Sequence, residues 1–114
     1  MLLGLWLLVG IGSDGKSNVK RFIRHPQLAG FMIWAAAHLL SNGALRSVVL
    51  FGGLGGWAIT SMFAINRREG TWQRPAAVAL RHEVRGVGIG LVSYALLFMA
   101  HPYLSGVRLT WPWY

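Results

Sequence analysis

The side chains best equipped for chemistry in this sequence are four histidines: His25, His38, His82 and His101. Imidazole titrates near neutrality and is the commonest protein ligand for metals. There is no cysteine, which excludes disulfides, thiolate metal sites and cysteine nucleophiles. No glycine-rich phosphate loop, no pair of carboxylates and no nucleophile beside a base occurs, so a hydrolase or kinase has nothing to stand on. Glu83 follows His82 between Arg81 and Arg85 and reads more readily as part of a solvated ion pair than as an acid or base. His25 and His82 adjoin arginines, and a capping or headgroup-facing role suits them. His38 and His101 lie within or at the end of apolar segments, where an ionisable residue is a functional candidate by default. Two neutral imidazoles at one depth on different helices can clamp a haem iron from both faces, and a single proximal histidine can also hold one. The alternative for each is a hydrogen bond to a carbonyl or a serine within a helix bundle.

The elements that carry these residues decide between such readings. Of 114 residues, 54% are hydrophobic and only 12% charged, with a mean hydropathy of +0.47. An ordinary soluble domain carries about a quarter charged residues, so this chain has too little polar surface to cover a water-soluble globule. The net charge of +8 does not point to nucleic acid, because the basic residues fall in short stretches between apolar blocks. Four apolar segments emerge: Met1 to Gly12, Pro26 to Leu40, Ala44 to Ile65, and Gly86 to Ala100 with an extension to Leu104. Crossing about 30 Å of hydrocarbon takes roughly 20 helical residues. The first segment is too short and lacks the features of a signal peptide, so it is expected to be the tail of a spanning helix whose beginning is missing. The fold class expected is all-α: an integral membrane helical bundle with three full transmembrane helices plus a partial N-terminal one, forming a single domain over residues 1–114.

Pro26 suits the first turn of a helix. Ser41-Asn42-Gly43 is expected to end that helix through a left-handed cap, and Asn66-Arg67-Arg68-Glu69-Gly70 to stop the next. Ala76 to Arg85 is expected to form a short interfacial helix. The stretches Ser13–His25 and Asn66–Arg85 are both basic and are separated by two spans, so they lie on one side. The positive-inside rule makes that side the cytoplasm. His25 and His82 then sit at the cytoplasmic boundary. His38 follows His25 by 13 residues, about 20 Å along a helix, which puts it at a depth comparable with His101 in the outer half. Trp111, Trp113 and Tyr114 suit an aromatic belt. Gly52/Gly56 and Gly86/Gly90 are GxxxG pairs that let helix backbones approach. Gly30 with Ala35-Ala36-Ala37 leaves room either for a helix or for a flat ligand. Trp34, Trp57 and Trp72 read as packing or belt residues.

Several blocks resemble a known family. They are Arg24-His25-Pro26-Gln27-Leu28, then Ala37-His38-Leu39-Leu40-Ser41-Asn42-Gly43, then Leu50-Phe51-Gly52-Gly53, and finally His101-Pro102-Tyr103-Leu104-Ser105-Gly106-Val107. The pattern, over residues 19 to 109, resembles NnrU, a family of bacterial membrane proteins associated with nitrate and nitric oxide metabolism. It also resembles the related 15-cis-zeta-carotene isomerase, a membrane enzyme that uses haem b for cis-to-trans isomerisation of a polyene. The resemblance implies a multi-pass protein of the bacterial inner (plasma) membrane and haem b as cofactor. It implies His38 as an axial ligand. Family members usually begin with further spanning sequence bearing its own histidine. This chain reads as N-terminally truncated by comparison, which leaves His101 as the substitute partner. Whether it is an enzyme stays open. The other readings are a non-enzymatic membrane factor for nitrogen-oxide respiration, working through a homo-oligomer or a membrane partner protein, and a non-functional fragment. The partners implied are the lipid bilayer and no nucleic acid.

Overall fold

The computed structural model describes residues 1–11 and 16–108, and the regular secondary structure among them is helix alone. A short helix α1 (Leu2–Leu5) runs directly into a π-helical turn (Trp6–Gly10), and a 3-10 turn follows at Asn18–Arg21. Three longer helices complete the chain: α2 (Pro26–Ser41), α3 (Leu45–Glu69) and α4 (Leu80–Ser105). Trp111, Trp113 and Tyr114 fall outside the described residues.

The helices stand in a row rather than around a common axis. α2 packs on α3, while α1 and the π-turn lie against both α2 and α4. The N-terminal segment is therefore a wedge, and it supplies Leu5, Leu7 and Ile11 to the small set of buried apolar residues, with Ala35 and Ala58 completing it. The close approach is made by glycines. Gly30 meets the Gly4 carbonyl and Leu8, Gly90 meets Trp6, and Gly10 meets the Gly86 carbonyl. Of the two GxxxG pairs, Gly86/Gly90 is thus used inside the fold. Gly52 and Gly56 have no atom within 4 Å of where a Cβ would stand, among the described residues. Gly30 and Ala35 serve helix packing, the latter beside Gly55.

α3 and α4 have 25 and 26 residues and are long and apolar enough to cross a membrane, with only 6% of the apolar stretch of each buried in the protein. A core helix of a soluble protein would be mostly buried. Here Val49, Leu50 and Phe63 on α3, and Val84, Val92 and Leu96 on α4, are exposed. Apolar side chains without protein cover are what lipid-facing helices present. α2 has 16 residues, about 24 Å of helix, and falls short of the length expected for a third full span.

Three local expectations are corrected. Asn42 is extended (φ −148°, ψ 106°) rather than left-handed. Its Oδ1 instead accepts from the Ala44 N–H at 3.0 Å, so the side chain opens α3 in place of capping α2. α3 continues through Asn66 to Glu69 and stops only at Gly70, whose φ of 68° and ψ of −140° suit glycine alone. No separate interfacial helix covers Ala76 to Arg85. Residues 76–79 are non-helical, and Leu80 to Arg85 form the first turns of α4, because nothing at Gly86 breaks the helix once it is packed on Gly10.

Candidate functional site

At one end of the row, polar side chains tie the basic stretches together. Arg24 donates to the Gly70 carbonyl at 2.9 Å and stands 3.7 Å from Glu69. His25 Nε2 and Asn66 Oδ1 are 2.7 Å apart, so the ring donates and the amide oxygen accepts. Glu83 accepts from the Ser17 hydroxyl at 3.1 Å and from the Asn18 N–H. The Asn18 side chain pairs with the Val78 backbone in both directions, at 3.0 and 3.2 Å. Glu83 is therefore a latch that docks residues 17–18 onto the start of α4. Residues 16–25 and 66–85 share one end of the molecule, as the charge pattern requires. His25 is a tie between helices α2 and α3, which fits a structural role.

The other end brings His38 and His101 together. Their ring centres are 6.5 Å apart with planes at 31°, although they come from helices that are not neighbours in the row. α2 positions His38. Its Nδ1 lies 2.9 Å from the Trp34 carbonyl one turn earlier, its ring stacks on Phe51 of α3 at 4.5 Å and 28°, and Trp34 covers it at 4.8 Å. Phe31 and Trp57 extend this aromatic cluster edge to face. α4 positions His101 in its last turn, with Nδ1 3.0 Å from both the Val107 carbonyl and the Ser105 hydroxyl.

These partners fix the tautomers. A carbonyl can only accept, so Nδ1 must carry the hydrogen in both rings. Neither Nε2 has a hydrogen-bond partner among the described residues. In the neutral form of each ring the lone pair then lies on Nε2. The carbonyl and serine contacts of the bundle-histidine reading are present, yet they occupy the nitrogen that a ligating histidine ordinarily uses for orientation. Below His101 on the same helix face, Tyr94 and Phe98 stand at spacings of four and three residues. With Ala95 and Met99 they line an open apolar groove of 380 Å³.

A bare metal ion needs three or four protein ligands, and no group of three His, Cys, Asp or Glu side chains converges among the described residues. Two imidazoles suit a metal whose other ligands come from a macrocycle. An imidazole–metal bond of about 2 Å, plus ~1.1 Å from nitrogen to ring centre, puts two rings on opposite sides of one metal about 6 Å apart. The observed ring-centre distance of 6.5 Å is of that size.

The model of the NnrU protein family matches residues 1–109. This chain belongs to the NnrU family. The match reaches further than the motifs read from residues 19 to 109, since it takes in the N-terminal wedge as well. No curated protein and no solved structure matches the chain. The depth of His38 and its likeness to that of His101 were legible from sequence. What sequence reasoning missed was the part played by Ser17, Asn18 and Glu83. A serine placed before an asparagine in a loop signals a turn, but nothing in the order of residues tells which distant carboxylate it meets.

Proposed function

We propose that this NnrU-family chain is a haem-binding membrane protein in which His38 and His101 would hold the iron of haem b. The reading extends to service in bacterial nitrate and nitric oxide metabolism at the inner membrane, with carotenoid-isomerase-like chemistry on a polyene. One observation carries it: two imidazoles from separate helices, ring centres 6.5 Å apart, each with Nδ1 engaged and, among the described residues, no partner at Nε2. Bound haem supplies an iron centre that changes redox state. The chain's own residues hold and shield it. Phe51 and Trp34 pack against the His38 ring and limit water there. The Tyr94–Phe98 groove is apolar and open along the helix, which suits a long hydrocarbon better than a polar substrate.

In this reading α2 also crosses the bilayer, giving three spans plus the N-terminal wedge. Its short length is met by local thinning of the bilayer. The basic ends face the cytoplasm. The test is spectroscopic. Protein purified in mild detergent with haem supplied should show a Soret band. His38→Ala and His101→Ala should each convert a six-coordinate low-spin spectrum to a five-coordinate one or abolish it. A wild-type protein that takes up no haem refutes the reading.

A second reading is a non-enzymatic membrane factor acting through a partner protein or a second copy. The bare backbone at Gly52, Gly53 and Gly56 favours it, since small residues mark helix interfaces in lipid. It predicts a partner recovered in mild detergent, lost in Gly52→Leu, with no Soret band. Recovery unchanged by Gly52→Leu counts against it.

A further inference from the structure

The two imidazoles are held in different ways. His38 is fixed by its own helix and by packing against Trp34 and Phe51. Among the described residues His101 has no such sandwich. What holds it is the chain beyond the end of α4. Gly106 adopts a left-handed conformation (φ 72°, ψ 0°), and its N–H donates to the Pro102 carbonyl at 2.9 Å. This reversal brings the Val107 carbonyl back over the helix end, 3.0 Å from His101 Nδ1. Ser105 braces the turn. Its hydroxyl donates to the His101 carbonyl at 2.8 Å and accepts the Val107 N–H at 3.2 Å. The Ser105 proton is thereby committed, so its 3.0 Å contact with Nδ1 also has the ring as donor.

We propose that the Ser105-Gly106-Val107 turn is a positioning device for His101. It sets the ring's orientation and its Nδ1–H tautomer, which leaves the Nε2 lone pair available to an iron. The functional half of this inference rests on His101 as a haem ligand; the tautomer itself does not. Ser105 and Gly106 are positioning residues. Among the described residues a side chain at Gly106 meets no neighbour, so a substitution there acts through φ. Asparagine tolerates the left-handed region and a β-branched residue does not.

The experiment reads the ring nitrogens directly. Haem-free protein labelled with ¹⁵N-histidine in detergent should show His101 protonated on Nδ1 in the wild type, in Gly106→Asn and in Ser105→Thr. Gly106→Val and Ser105→Ala should shift it toward Nε2–H. A His101 tautomer that is unchanged in both Gly106→Val and Ser105→Ala overturns the proposal. In haem titrations, Gly106→Val should weaken binding by about 10- to 100-fold, the usual effect of losing an orienting partner, with Gly106→Asn restoring it. A tautomer that shifts while haem affinity stays at the wild-type value also overturns the positioning role. A wild type that binds no haem overturns the ligand assignment and the positioning role together, and the nitrogen shifts then report separately on the turn.

Discussion

Gly30→Ala should loosen the whole row of helices, and the geometry says by how much. A Cβ at Gly30 would stand 2.7 Å from the Gly4 carbonyl oxygen, 2.9 Å from the Leu8 nitrogen and 3.1 Å from the Leu8 Cβ. Ordinary contact begins near 3.4 Å. Two of the three neighbours are backbone atoms, which cannot turn aside as a side-chain tip can. The N-terminal wedge must therefore move off α2. Overpacking of this kind costs about 1–3 kcal/mol, while alanine in place of glycine returns up to ~1 kcal/mol of helix propensity. With the full propensity gain the net expectation is a loss of about 0–2 kcal/mol. Gly53→Ala is the control, because a Cβ there meets nothing within 4 Å and only the propensity gain applies. The two variants should differ by about 1–3 kcal/mol, the overpacking cost alone, when unfolding in detergent is followed by circular dichroism. Since the wedge stands between α2 and α4, the same shift should spread His38 from His101 and weaken haem binding. Equal stability of Gly30→Ala and Gly53→Ala would refute the wedge as the element that joins these helices.

Glu83→Gln should weaken the latch on Ser17 and Asn18 by about 1–2 kcal/mol, the scale of hydrogen bonds that lose a charge. It should speed proteolysis within residues 16–25, and an unaltered cleavage rate would count against it. Gly70→Ala should cost about 1–3 kcal/mol through backbone strain alone, despite open space around Gly70; a melting temperature equal to wild type would show that the turn is not held. The chain has no cysteine, so single cysteines report topology cleanly. Lys16→Cys and Arg46→Cys should label from opposite faces of inverted and right-side-out vesicles, and labelling from one face would remove the two-sided arrangement.

Much of this was legible from residue order because lipid is an undemanding solvent. Long runs without charge must form helices there, since backbone groups have no water to bond. Lengths, basic ends and Pro26 at a helix start then follow from composition. Local capping was less legible. Asn42 can bond its own neighbours or take the left-handed region, and the choice depends on how α3 must leave α2. Gly70 and Gly106 settle their turns because only they take positive φ among the described residues.

Sequence by itself determined an apolar, helical NnrU-family chain with basic stretches gathered at one end and two histidines at matching depth. Tertiary structure alone decided that those histidines meet, that their Nδ1 atoms are engaged, and that Glu83 latches a loop 65 residues away. The reason is range. Hydropathy and turn preference act over a few residues, while a meeting of α2 with α4 depends on a wedge whose glycines permit a close approach that no local pattern encodes.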